Sequence, residues 1–174
     1  VPRALPGECI EGTPSGNRLE SPRILTPSPD RVRAPCPHYN SCGGCALQHA
    51  SDSFVAGWKE DIVRRALDAQ GISTVFRQPH ISPPNSRRRA VLAGRRLKKS
   101  TLVGFHRRSS HDLVEVPECR VLDSRLLAAF PALGELTAVL GSRKSVLRFS
   151  VIASDTGIAK PMFWAPVEDP VAVC

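Results

Sequence analysis

The sequence predicts an α+β fold, an antiparallel β-meander with two packed helices. Three stretches carry that prediction. Residues 51–71 hold an amphipathic helical pattern, residues 87–116 hold three short β-branched segments separated by polar turns, and the residues after Asp123 hold a second leucine-rich helical pattern. With 174 residues and 41% apolar content the chain can build a real core. No apolar run approaches the roughly 18 to 20 residues of a membrane-spanning helix, and the start lacks the charged-then-apolar pattern of a secretory signal. A cytoplasmic, reducing setting is expected, where clustered cysteines indicate metal or reactivity before disulfides.

The first 37 residues contain eight prolines, which exclude a continuous helix or a central strand. Short edge strands over Gly7–Glu11 and Arg18–Leu25 fit better. Cys9 falls in this part and reads as a small half-buried side chain. In the first helix Phe54, Trp58, Ile62 and Ala66 repeat every four residues, with Val55, Val63 and Leu67 widening the apolar stripe. Ser51 or Ser53 supplies the N-cap, and Gly71 supplies the left-handed stop. Trp58 lies on the stripe and is expected in the core.

Arg87–Gly94, Thr101–Arg107 and Asp112–Val116 are the expected meander strands, with Val91 and Ala93 pointing inward. Asp123 caps the second helix, which turns Leu126, Leu127, Phe130, Leu133 and Leu136 inward and is bent or split at Pro131. Ser145–Ala153 alternates as another strand. The expected organisation is a β segment over 1–34, a central domain over 35–153, and an irregular tail over 154–174.

Charge is uneven. The chain carries a net +8, and nine of its basic residues, Arg87, Arg88, Arg89, Arg95, Arg96, Lys98, Lys99, Arg107 and Arg108, fall in a stretch without a single Asp or Glu. Such density points to a polyanion, because each neutralised phosphate releases condensed counterions. The block lacks the helical spacing of a membrane anchor.

The segment CPHYNSCGGC places Cys36, Cys42 and Cys45 at C-x5-C-x2-C spacing. A fourth thiolate would complete a metal centre, with Cys9, Cys119 and Cys174 as candidates. Structural zinc sites usually arrive as two short-spaced pairs, whereas a local triplet with one remote cysteine suits an iron-sulfur cubane. Zinc bound by Cys36, Cys42, Cys45 and either Cys119 or a histidine, in a non-catalytic nucleic-acid module, is the competing reading. An electron-transfer ferredoxin fits the basic block poorly. His38 and His49 flank the triplet, His49 reading as a hydrogen-bonding residue of the loop; His106 and His111 lie in the basic meander.

The run CPHYNSCGGCALQH, preceded by PSPDRV and followed by GFHRRSSHDLVEVPEC, resembles the S-adenosylmethionine-dependent uracil-C5 RNA methyltransferases, in the branch acting on large-subunit ribosomal RNA. The resemblance covers roughly residues 4–150. It implies a [4Fe-4S] cluster held by Cys36, Cys42, Cys45 and Cys119, and an RNA partner, ribosomal RNA in this branch, held by the basic block. It also implies that ALPGECIEG belongs to a partial OB-like TRAM β domain. The Rossmann-like catalytic domain, with its S-adenosylmethionine loop, nucleophilic cysteine and general base, would follow the region present. No G-x-G-x-x-G occurs, so no catalytic residue is carried over, and the chain alone is expected to be inactive. A monomer is expected.

Overall fold

A computed structural model describes the chain at Val1 and over residues 3–164, the stretch 157–164 by its backbone alone. Two units divide it: one joins Val1–Pro35 to Ala46–Ser82, the other joins Cys36–Cys45 to the chain from Pro83 onward.

In the first unit, β1 (Cys9–Ser15) and β2 (Arg18–Thr26) form a two-stranded antiparallel ribbon. Both strands are edges, so Pro14 and Pro22 remove no essential ladder bond. The register shifts between Glu11 and Thr13, across Gly12, where a Cβ would sit 2.6 Å from Leu19 Cγ. Cys9 is exposed rather than half-buried. Just before β1, Glu8 pairs with Arg31 and accepts from the backbone N–H groups of Leu5 (2.8 Å) and Ser28 (3.2 Å). Helix α1 (Asp52–Asp68) starts at Ser51, whose hydroxyl accepts from Phe54 N–H, and the chain leaves it through Gly71 at φ +69°. Both caps were legible from sequence. The core expectation for its stripe was not met: α1 buries no residue, and Trp58, Ile62 and Val63 are 44%, 49% and 51% exposed. Helical spacing identifies an apolar face but not what covers it.

The second unit is a five-stranded antiparallel sheet ordered β5-β4-β3-β6-β7: β3 Arg89–Arg96, β4 Thr101–His106, β5 Leu113–Val114, β6 Leu147–Ser154 and β7 Gly157–Trp164. The expected meander is present as β3-β4-β5, and β6 joins the other edge of β3. Strand β3 starts two residues later than expected because Arg87 is occupied elsewhere, donating to Val121 O and accepting from Asp123 N–H. Helices α2 (Ser124–Ala128) and α3 (Phe130–Leu140) are one helical stretch split next to Pro131. Asp123 caps α2, and its carboxylate is held well below its ordinary range by hydrogen bonds from the Arg125 side chain and backbone N–H.

The core lies between the helices and one sheet face, where Leu92, Leu126 and Phe149 are fully buried beside Leu122, Val151 and Leu133. In β6 the residues alternate cleanly, with Leu147, Phe149, Val151 and Ala153 inward. In β3 the phase is opposite to the expected one. Leu92, opposite Phe149, points into the core, while Val91, opposite Ser150, lies on the other face and is 55% exposed. Ala93 is buried, but it shares Val91's face. A one-residue slip exchanges every side chain between faces, and the run Ala-Val-Leu-Ala offers apolar residues for either choice. Strand β7 departs from the irregular tail expected from residue 154. Cys174 lies outside the described residues. Among the described residues no helix is long and apolar enough to cross a membrane.

Candidate metal centre and basic sheet face

The loop Cys36–Cys45 is a series of tight turns. Tyr39 N–H donates to Cys36 O (3.1 Å) and Cys42 N–H to His38 O (2.8 Å), which folds the five residues between the first two cysteines into a compact bend. The loop is then fastened to β4 and the residues after it. Gly43 N–H donates to His106 O at 2.9 Å, Cys42 bridges to Arg107, and the Arg108 guanidinium donates to Cys45 O at 3.1 Å. Gly43 is required by this approach, since a Cβ there would lie 2.7 Å from His106 O and 3.0 Å from Arg108 N.

Cys119 arrives from the far end of the meander in a turn closed by its own N–H to Val116 O (3.1 Å). Asn85 holds that turn, its side-chain amide donating to both Cys119 O and Leu122 O at 3.0 Å. Sequence reasoning passed over Asn85; its one signal was the Pro-Pro-Asn turn before the first arginine.

The triplet and Cys119 therefore belong to one unit, and Cys42 and Cys119 to one buried cluster. Cys36, Cys42 and Cys119 are buried, Cys45 is half-buried, and none is in a disulfide. Burial pushes the Cys42 thiol up, the Gly44 N–H at 3.3 Å from its sulfur pulls it down, and the thiols of Cys45, Cys119 and Cys36 each push it up again. The sulfurs of Cys36, Cys45 and Cys119 thus each lie within electrostatic reach of Cys42. Such a cluster of thiols, costly to ionise by itself, suits a metal cation, which favours the thiolate form outright. Among the described residues, however, no group of three or more His, Cys, Asp or Glu is arranged to hold a metal ion. Four cysteine thiols gathered in one unit are the donor type that both zinc and iron-sulfur centres take. Among the described residues His38 Nε2 and His106 Nδ1 are buried without a hydrogen-bond partner; His49 is buried in the other unit.

The nine basic residues do not share one surface. Strand alternation puts Arg89 and Arg95 on the outer sheet face with Val91, and Arg148 of β6, opposite Ala93, joins them. Arg148 was missed because it lies outside the basic run. Arg96, opposite Thr101, projects from the other face, Lys98 and Lys99 occupy the exposed β3–β4 turn, and Arg107 and Arg108 lie beside the cysteine loop. Arg87 is tied into the segment around Leu122, and Arg88 pairs with Asp155 at 3.0 Å.

No family model matches the chain. Curated relatives do. An uncharacterized RNA methyltransferase of Caulobacter vibrioides is 42% identical over 161 residues, 91% of this chain and 39% of the relative. One of Brucella suis is 34% identical over 158 residues, 91% of this chain and 38% of the relative. The 23S rRNA (uracil(1939)-C(5))-methyltransferase RlmD of Idiomarina loihiensis is 39% identical over 136 residues, 71% of this chain and 30% of the relative. The chain's relatives are RNA methyltransferases. It spans about two fifths of the length of the first two.

Proposed function

We propose that this chain is the RNA-binding and [4Fe-4S]-holding portion of an S-adenosylmethionine-dependent enzyme that methylates C5 of a uridine in ribosomal RNA, working as a monomer in the cytoplasm. The observation that carries the reading is the convergence of Cys36, Cys42, Cys45 and Cys119 in one unit of a chain whose relatives are RNA methyltransferases. The β1–β2 ribbon is the end of the TRAM domain in this reading, and S-adenosylmethionine serves the catalytic part of the whole enzyme.

The four thiolates would hold the cluster, which supplies a cross-link between the cysteine loop and the residue that follows the meander. Closing the 73 residues between Cys45 and Cys119 costs about 4 kcal/mol of chain entropy, which metal binding helps to offset. The chain's own residues do the rest. Gly43 and Arg108 fix the loop at the end of β4, Asn85 fixes Cys119, and the outer arginines meet phosphates through charge-assisted hydrogen bonds. Methyl transfer to a base needs that base out of its stack, so a surface that grips the surrounding RNA contributes before any chemistry starts.

Anaerobic purification tests the reading. A brown protein containing iron and acid-labile sulfide supports it, and a colourless protein carrying zinc overturns the cluster. A Cys119→Ser variant that keeps its full iron content would reject the fourth ligand.

A further inference from the structure

A cavity of about 470 Å³ opens between strand β4 and helices α2 and α3. Thr101 and Val103 of β4, Phe130 and Gly134 of α3, and Glu115 and Pro117 after β5 are among the residues that line it. Gly134 keeps it open, because a Cβ there would already come within 3.3 Å of Thr101 Oγ1. The volume suits one flat aromatic ring system with its sugar, and the Phe130 ring and Pro117 supply apolar surfaces of the kind on which bases stack.

Two charges make the cavity selective. Glu115 is exposed at its mouth, and among the described residues its carboxylate has no ion pair or hydrogen bond. Arg96 stands directly opposite Thr101 in the β3–β4 register, so its side chain leaves the sheet on the cavity's face, next to the Lys98-Lys99 turn. A carboxylate repels phosphate, so the ligand must bring a hydrogen-bond donor to Glu115 and its phosphate to Arg96. Among the bases guanine alone presents two adjacent N–H donors, N1–H and N2–H, on its Watson–Crick edge, matching the two oxygens of one carboxylate. Adenine and cytosine place an acceptor beside their amino group, and uracil flanks its single N–H with carbonyls.

We propose that this cavity is a binding site for a single unpaired guanine of an RNA strand, read by Glu115, stacked beside Phe130 and Pro117, and held through its phosphate by Arg96. The site rests on the RNA-binding reading for its biological ligand but not for its chemistry, so the two are tested separately.

The probe is the 5′-mononucleotide. GMP, AMP, CMP and UMP are titrated into the full chain while the amide resonances of Thr101, Val103 and Gly134 are followed by NMR. The expected result is that GMP moves these resonances and binds about tenfold more tightly than the other three. Glu115→Gln, an exposed and nearly isosteric change, removes that preference, and Arg96→Ala weakens GMP against guanosine. Equal binding of all four nucleotides, or GMP binding unaffected by Glu115→Gln, overturns the site. Filter binding of a ribosomal RNA fragment then separates the two readings. RNA binding without any GMP preference sinks the guanine site alone, while a GMP-selective cavity in a chain that does not bind RNA upholds the site and sinks the RNA-binding reading.

Discussion

The side-chain amide of Asn85 donates to the carbonyl of Cys119 at 3.0 Å, and through it the segment before β3 holds the turn that carries Cys119. The same amide reaches Leu122 O, and Asn85 N–H donates to Arg120 O, so three hydrogen bonds from one residue shape the Cys119 turn. Asn85 also sits at φ +54°, a conformation Asn tolerates better than most residues. Asn85→Gly removes the side-chain bonds without backbone strain and is expected to cost roughly 2 kcal/mol; Asn85→Ala adds strain and costs more. Thermal unfolding gives the order of the two variants, and with the proposed cluster in place iron content per chain is expected to fall in the same order. If both variants load iron like the parent, Asn85 does not position the ligand.

Gly43 and Gly57 offer a matched contrast. A methyl on Gly43 meets backbone atoms of His106 and Arg108, which cannot move aside as a side chain would, so Gly43→Ala is expected to lift the cysteine loop from β4 and lower both melting temperature and iron loading. A methyl on Gly57, within α1, meets nothing within 4 Å. Gly57→Ala is expected to stabilise by about 0.5 to 1 kcal/mol through helix propensity alone. Calorimetry of the two variants checks the pair, and a loss of stability at Gly57 would mean that the face of α1 is covered in solution.

What the sequence made legible were features set within a few residues of one another. Ser51, Gly71 and the four-residue step located α1, and Pro131 marked the break between α2 and α3. Features decided by distant partners were hidden. The phase of β3 is fixed by Leu92 packing on Phe149, some 57 positions away, because apolar side chains occupy both faces of the strand. The same holds for the site: three cysteines announced themselves by spacing, whereas Asn85 and Arg148 acquire their places only once β6 and the Cys119 turn are folded against β3. Strand β7 carries no alternation in Gly-Ile-Ala-Lys-Pro-Met-Phe-Trp that would have given it away.

Acid should weaken the first unit through one carboxylate. Hydrogen bonds from the Arg31 side chain dominate at Glu8; with the N–H groups of Leu5 and Ser28 and the charge of Arg31, they outweigh burial and hold its pKa at about 2, below an ordinary 4.5. Because the folded value is the lower one, the stability Glu8 contributes is complete above about 4.5 and is lost as pH falls from there toward 2. Glu8→Gln is expected to cost roughly 2 kcal/mol at neutral pH and to flatten that acid-side decline. Urea midpoints on either side of the window check both, and an unchanged decline in the variant would place its origin elsewhere.

The outer sheet face makes a sharper prediction about RNA than the basic run does. Arg89, Arg95 and Arg148 leave the sheet on one side, interleaved with the exposed Val91, and Arg95 donates to the neutral carbonyl of His111 at 3.2 Å, whereas the Arg88 guanidinium is paired with the carboxylate of Asp155 at 3.0 Å. An exposed ion pair is weak, worth at most about 1 kcal/mol, but it holds Arg88 near a carboxylate that repels phosphate. Alanine at Arg89, Arg95 or Arg148 is therefore expected to weaken RNA binding for every sequence alike and to reduce the slope of affinity against salt by about one unit per residue. Arg88→Ala should change that slope less. Filter binding across a salt series distinguishes the positions. If Arg148→Ala leaves the slope untouched while Arg88→Ala reduces it, the phosphates follow the linear basic run and not the face that strand pairing assembles.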